Sequence, residues 1–395
     1  MNYLSLVNRK SNLFANDILK YQNELTEIVQ DHSFLVIGGA GTIGQSVVKQ
    51  IFKRQPKVLH VVDISENNLV ELVRDIRSSL GYIRGDFKTF ALDVGSKIFD
   101  QFWHSTDKYD YVLNLSALKH VRSEKDLFTI LRMIEVNITN SMKIAELMAE
   151  SNGKNYFCVS TDKAANPTNV MGASKRLMEK FLFGSNFGLT VSMARFANVA
   201  FSDGSLPFGF TQRIMKRQPI SAPRDVKRYF VTPEESGELC LCAALLGENA
   251  EIFFPTSDTE LKLTTFSEVA TNYLKQHSLN PIICETEDEA RLLCEKLDLT
   301  KDYPCYFFDS DTTGEKPFEE FYTQNDKIDF ERFDNMGVIS SDTHGLSFSQ
   351  YNDFQAAFYR ALDGKSEKRD IVNVFRELVP EFNHSELNKH LDQRM

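Results

Sequence analysis

No stretch of this sequence approaches the roughly 18 to 20 uninterrupted apolar residues that a bilayer-spanning helix needs. Nor does the segment from Met1 to Asp31 hold the apolar core of a secretory leader, since Asn8, Arg9, Lys10, Asp17, Lys20 and Glu24 interrupt it. Both absences point to a protein with no membrane partner, expected in the cytoplasm. Cysteine is sparse and scattered: Cys158, Cys240, Cys242, Cys284, Cys294 and Cys305 show no CxxC spacing. They are expected as reduced, buried thiols, with neither a metal nor a disulfide role. Positive charge is also short. Against 55 Asp and Glu there are 45 Lys and Arg, a net charge of -10, which excludes a general nucleic-acid binder, because such affinity rests on clustered cations that release counterions. An anionic ligand must then be caught by local donors. Internal repeats and low-complexity tracts are missing too. What is present, 395 residues with 42% hydrophobic and 25% charged, suits a folded chain of one large domain or two smaller ones.

Residues 12–29 place Leu13, Ile18, Tyr21, Leu25 and Ile28 close to helical spacing, which predicts one amphipathic helix packed on the body or on a partner subunit. From Phe34 the pattern changes to short apolar runs alternating with helical stretches: FLVIGG, VLHVVD, DYVLNLSA, NYFCVST and LTVSMARFANV. Buried strands alternating with helices predict an α/β fold, a Rossmann-type doubly wound parallel sheet. After about Asn198 the alternation is broken by Gly204, Pro207, Gly209, Pro219 and Pro223, where a smaller C-terminal substrate lobe is expected. The expected division is an N-terminal helix over 1–31, a dinucleotide-binding core over 32–200, the lobe over 201–340 and a helical tail over 341–395. Within the lobe, 278–311 reads as an acidic insertion. The tail carries amphipathic stretches at 352–362 and 368–378.

GGAGTIG puts Gly38, Gly41 and Gly44 at three-residue intervals between a strand and the opening of a helix. A tight turn needs Gly38, a pyrophosphate approaching the backbone needs Gly41, and Gly44 lets the helix lie against the strand. The amides of Thr42 and Ile43, at the helix start, face the phosphates. About twenty residues on, Asp63 ends the next strand, where its carboxylate suits the ribose hydroxyls. Asp63 would repel a 2′-phosphate and only Ser65 follows nearby, so NAD is expected rather than NADP. Asp93, after the next strand, suits the adenine, although a plain turn residue explains it as well.

STDKAANPTNVMGASKRLMEKF (Ser160 to Phe181) resembles the CapD/PglF-type polysaccharide-biosynthesis dehydratases, extended short-chain dehydrogenases/reductases that act on UDP-N-acetylglucosamine. The resemblance recurs in order at SALKHV (Ser116 to Val121), RFANV (Arg195 to Val199), KRYFVT (Lys227 to Thr232) and TGEKPFEEF (Thr313 to Phe321). It implies an NAD-dependent 4,6-dehydratase yielding a UDP-4-keto-6-deoxy sugar for surface polysaccharide. In ordinary members of the superfamily a Tyr sits four residues before the catalytic Lys. Here that position is Met171, ahead of Lys175, and a thioether carries no proton at neutral pH. The Met-containing branch is similar to the group that retains configuration at carbon 5.

The resemblance further implies Asp162 as the acid for the leaving 6-hydroxyl and Lys163 as the base at carbon 5. Thr161 would bond the 4-hydroxyl, whose proton falls to Asp162 in the absence of Tyr. Lys175 would hold the nicotinamide ribose, with Ala117 beside the cofactor and Lys119 and His120 where nicotinamide and sugar meet. Arg228 and Asn198 are implied at the substrate diphosphate, Gln212 and Arg213 at uracil or ribose. The family's Arg-Pro-Gly-Glu-Lys stands here as Thr312, Thr313, Gly314, Glu315 and Lys316, so a nucleotide contact made by that Arg is lost or passes to Lys316. A homodimer or higher homo-oligomer is implied too. Two rivals stay open: a nucleotide-sugar 4-epimerase, and a catalytically inert NAD-binding sensor.

Overall fold

The structure is a computed structural model that describes residues 1–256, 260–310, 316, 318–340 and 345–384, without the side chains of residues 122 and 123. Thr312, Thr313, Gly314, Glu315 and the tail beyond His384 therefore lie outside the described residues.

In chain order the first six strands are β1 (Ser33–Ile37), β2 (Val58–Asp63), β3 (Asp86–Ala91), β4 (Tyr111–Asn114), β5 (Asn155–Thr161) and β6 (Thr190–Phe196). Then come β7 (Asn198–Val199), β8 (Ile220–Pro223), β9 (Lys227–Arg228), β10 (Phe230–Val231), β11 (Glu251–Pro255) and β12 (Thr264–Thr265). The last are β13 (Asn280–Cys284), β14 (Asp302–Phe308), β15 (Lys327–Asp329) and β16 (Met336–Ser340). The main sheet runs β15-β16-β11-β6-β5-β4-β1-β2-β3. Its six N-terminal strands are parallel in the doubly wound order, with the reversal between β1 and β4. Ligands of such sheets bind at that reversal, beyond the carboxyl ends of the strands. β4 and β5 are buried almost throughout because helices cover both faces, whereas the edge strand β3 alternates with solvent.

The doubly wound parallel sheet that the sequence predicts is present, and antiparallel strands extend its far edge. β11 joins β6 in parallel, but β16 pairs with β11, and β15 with β16, antiparallel. Antiparallel edge strands on a parallel sheet are common, since a strand there needs no crossover helix.

A second apolar core, centred on Phe201, Phe210, Phe230, Tyr273 and Tyr303, lies under β8 and the helices Leu206–Met215 and Phe266–Gln276. The acidic segment beginning at Ser278 folds into β13, the helix Glu287–Lys296 and β14, a unit whose strands lie parallel and continue onto β8. The tail helices are Phe348–Leu362 and Lys368–Leu378, close to the expected stretches.

The single helix expected over 12–29 is corrected to two, Ala15–Lys20 and Gln22–Asp31, with Tyr21 between them at ψ 9°. Tertiary contacts impose the break. Asp17 accepts from the amides of Asp334 and Asn335, and the Tyr21 hydroxyl donates to the Arg332 carbonyl at 2.9 Å. Further upstream, Arg9 pairs with buried Glu235, and Asn12 donates to Glu238 at 2.9 Å. Both acceptors belong to the helix Pro233–Leu246, whose Gly237 lies against Ser46 of the helix Thr42–Phe52; a Cβ there would come within 2.7 Å of the Ser46 carbonyl carbon.

Candidate active site

The turn after β1 has the shape its glycines require. Gly38 adopts φ +70°, and a Cβ there would stand 2.7 Å from the Ser116 amide nitrogen, so both conformation and space demand glycine. At Gly44 a Cβ would meet the Gly38 oxygen at 2.2 Å, which is what allows the helix Thr42–Phe52 to begin directly on the turn. Gly41 differs. An added Cβ would touch only the Gly38 oxygen, at an ordinary 3.6 Å, so nothing internal requires glycine and the space above it stays open. That opening, next to helix-start amides that have no intrahelical acceptor, fits a phosphate.

Asp63 closes β2 beside this turn. Its Oδ2 accepts from the Ala40 amide at 3.0 Å and its Oδ1 from the Ser65 amide at 2.9 Å, so the carboxylate braces the turn from below. Each oxygen keeps a lone pair for a ribose hydroxyl. Thr42 has a structural contact as well, its hydroxyl accepting from the Asp203 amide at 3.0 Å. Asp93 binds the Gly95 amide and, at 3.2 Å, Arg132, the behaviour of a turn residue.

The loop after β4 carries Ala117, Lys119 and His120. Buried Asn137 clamps it from both sides, accepting from the Leu118 amide at 2.9 Å and donating to its carbonyl at 3.1 Å. Lys119 reaches Ser202 Oγ at 3.4 Å, and the His120 ring stands over Gly204, where a Cβ would come within 3.0 Å of Nε2.

At the carboxyl end of β5, Asp162 Oδ1 gathers three donors: the Thr161 hydroxyl at 2.9 Å, the Lys163 amide at 2.9 Å and the Lys163 ammonium at 3.0 Å. Acid and amine thus meet at one oxygen, with Asp162 only 4% exposed. The helix Val170–Gly184 starts immediately above. Asn169 caps it by accepting from the Gly172 amide, and Gly172 allows the close approach, since a Cβ there would stand 2.5 Å from the Lys163 carbonyl oxygen. Met171 is buried in the first turn. Lys175, one turn on, is also buried; its ammonium donates to the Val159 carbonyl at 3.0 Å, beneath the strand end, and burial lowers its pKa.

The lobe brings Arg228 to the same place. Its guanidinium donates to the carbonyls of Lys227 and Lys316 and lies 3.9 Å from Glu319. Asn198 sits in β7, paired with β10. Gln212 and Arg213 lie on the helix Leu206–Met215, where Arg213 faces Gln218 at 3.5 Å. Among the described residues neither has a contact with the Asp162–Lys163 pair.

The profile of the family described as "polysaccharide biosynthesis protein" matches residues 34–340, which include every strand above except β1's first residue. The chain belongs to that polysaccharide biosynthesis family. It is 30% identical over 236 residues to an uncharacterized membrane protein of Methanocaldococcus jannaschii, covering 58% of this chain and 68% of that one. To the capsular polysaccharide biosynthesis protein CapD of Staphylococcus aureus it is 29% identical over 60% of its own length, and it spans 39% of CapD. A UDP-N-acetylglucosamine 4,6-dehydratase (inverting) of Campylobacter jejuni is 24% identical over 70% of this chain and 81% of its own. Among solved structures, Pen from Bacillus thuringiensis shares the fold with TM-score 0.64 at 21% identity, covering 80% of this chain and 90% of that one.

One charged residue of this family member escaped the sequence reading. Glu319, 4% exposed, lies 3.8 Å from the Lys163 ammonium and 3.7 Å from that of Lys316. Burial raises its pKa most strongly; Lys163, Arg228 and Lys316 oppose this and Asp162 adds to it. The stretch FEEF shows two adjacent carboxylates, and nothing in its spacing tells the buried one from exposed Glu320.

Proposed function

We propose that the chain is an NAD-dependent nucleotide-sugar 4,6-dehydratase that converts UDP-N-acetylglucosamine to a UDP-4-keto-6-deoxy sugar with configuration retained at carbon 5. The observation carrying this reading is the Asp162–Lys163 pair, an acid and a base 3.0 Å apart at the carboxyl end of β5, beside a Met where a hydroxyl-bearing Tyr would serve simple oxidation. A 4-epimerase has no use for that pair. The relatedness to a UDP-N-acetylglucosamine 4,6-dehydratase (inverting) supports dehydration as the reaction, while retention at carbon 5 rests on Met171 and the branch it resembles.

The open space over Gly41, the helix start at Thr42 and the two-oxygen acceptor at Asp63 suit a dinucleotide without a 2′-phosphate. When bound, NAD supplies a hydride acceptor for carbon 4 and the donor that later reduces carbon 6. The chain's own residues move the protons. Thr161 orients the 4-hydroxyl, and Asp162 takes its proton as the ketone forms. That ketone acidifies the hydrogen on carbon 5, which Lys163 removes while Asp162 passes its proton to the departing 6-hydroxyl. Each such transfer contributes roughly 10²- to 10⁴-fold to rate. Arg228 is the diphosphate donor of this scheme, since a guanidinium fork matches phosphate oxygens.

The test is incubation of the purified chain with UDP- and GDP-linked N-acetylglucosamine in deuterated water, without added NAD. The expected UDP product is lighter by one water and carries deuterium on carbon 5, with the configuration there read by NMR. An isobaric, undeuterated product identifies an epimerase. An unaltered substrate despite bound dinucleotide leaves the inert sensor.

A further inference from the structure

Glu319 has no part in the scheme above, yet it is the best-buried carboxylate facing the reacting pair. Three cations from separate parts of the chain converge on it: Lys163 after β5 at 3.8 Å, Arg228 in β9 at 3.9 Å and Lys316 at 3.7 Å. Asp162 is the fourth charged group facing it. These are ion-pair separations rather than hydrogen bonds. Among the described residues, Oε2 of Glu319 accepts no hydrogen bond although it is sealed from solvent. A buried carboxylate oxygen without a donor is costly as an anion, and taking up a proton relieves that cost. The upward pull of burial on this group has the same direction.

The elimination step calls for such a group. An amine can take the hydrogen on carbon 5 only after giving up its own extra proton, and the Lys163 side chain, 17% exposed, meets little bulk water. We propose that Glu319 is the proton store for Lys163, a positioning residue that takes one proton from the ammonium and leaves the amine lone pair aimed at carbon 5. The inference rests on the dehydratase reading. In the first transfer, ammonium and carboxylate become amine and carboxylic acid. The amine then breaks the C5–H bond; its electron pair becomes the C5=C6 bond as C6–O breaks and Asp162 protonates the leaving hydroxyl. When carbon 6 has been reduced, the Lys163 ammonium returns a proton to carbon 5, and Glu319 restores its own to Lys163. No proton is gained or lost by the pair over the cycle. The 3.8 Å gap must close by about 1 Å, the tightening that catalytic contacts undergo when substrate binds.

The experiment compares the full chain with its Glu319→Gln and Glu319→Asp variants, using UDP-N-acetylglucosamine as probe across the neutral and alkaline range. The wild-type rate should stay level through the neutral range, where the proton that must leave Lys163 passes to Glu319 rather than to solvent. Glu319→Gln should fall roughly 100-fold at neutral pH and regain about tenfold per pH unit as hydroxide takes over removal of the Lys163 proton. Glu319→Asp should keep the level profile at a reduced rate. Without turnover, acylation of Lys163 mapped by mass spectrometry should reach half-labelling at lower pH in Glu319→Gln, which lacks the anion that favours the ammonium. A deficit of equal size at every pH, an unmoved labelling midpoint, or an Asp variant that climbs as the Gln variant does would overturn the proposal while leaving the dehydratase standing. A wild-type chain that dehydrates no sugar nucleotide removes the dehydratase reading itself.

Discussion

Asp162 and Lys163 share one carboxylate oxygen, so each variant at the pair tests a separate half of the elimination. Asp162→Asn and Lys163→Ala are each expected to lower turnover by roughly 10²- to 10⁴-fold while the purified protein still carries dinucleotide; near-normal rates in either variant remove that residue's role. Gly38→Ala should act earlier. A Cβ 2.7 Å from the Ser116 amide nitrogen, at φ +70°, strains the reversal of the sheet, and a loss of roughly 1–3 kcal/mol with loss of bound dinucleotide is the outcome to look for by chemical denaturation and absorbance. These residues were legible because each lies in a local run: three glycines between strand and helix, Thr161 to Lys163 at a strand end. Glu319 was not, since its meaning comes from Lys163, Arg228 and Lys316, which only the fold gathers around it.

Among the elements, the helix Val170–Gly184 is held down by a buried ionic cluster. Glu179 accepts from Arg195 of β6 through both oxygens, at 2.9 and 2.7 Å, and from the Ser160 hydroxyl at 2.6 Å. These contacts outweigh the cost of burial and keep the Glu179 pKa low. Arg195→Met leaves that carboxylate buried with fewer partners and should cost about 3–5 kcal/mol, measured as a lower urea midpoint; a change within 0.5 kcal/mol, the range of neutral surface substitutions, would mean that Arg176, which pairs with Glu179 at 3.1 Å, suffices alone. The parallel strands β1, β2, β4, β5 and β6 were readable as apolar runs because both their faces are covered, whereas the edge strand β3, open to solvent, forms no such run. β13 and β14 were not: β13 is largely uncovered, the segment that holds them is acidic, and they become strands through pairing, β13 with β14 and β14 with β8. The break at Tyr21 was equally hidden, because the residues that cause it, Arg332, Asp334 and Asn335, lie some three hundred positions away.

For the molecule as a whole, Glu238 gives stability a pH dependence. Burial, the largest influence, pushes its carboxyl up to about 7, with Glu234 and Glu235 adding to the rise and Asn12 and Lys53 opposing it. A folded-state pKa above the unfolded one means that the folded chain holds the extra proton, so this contribution is complete below the ordinary carboxylate range and is lost as pH rises through about 7. Glu238→Gln should therefore flatten the fall of the melting temperature between mildly acidic and mildly alkaline buffer, an effect on the order of 3 kcal/mol; parallel curves for variant and wild type would refute it. The same helix receives Arg9 at Glu235 and leans through Gly237 on the helix that opens with the phosphate turn. The first ten residues thus act as a clasp on the nucleotide grip from behind, and a lesion there should surface as a leaky cofactor rather than as faulty chemistry. Arg9→Ala is expected to shed dinucleotide on gel filtration yet turn over normally once cofactor is supplied in excess.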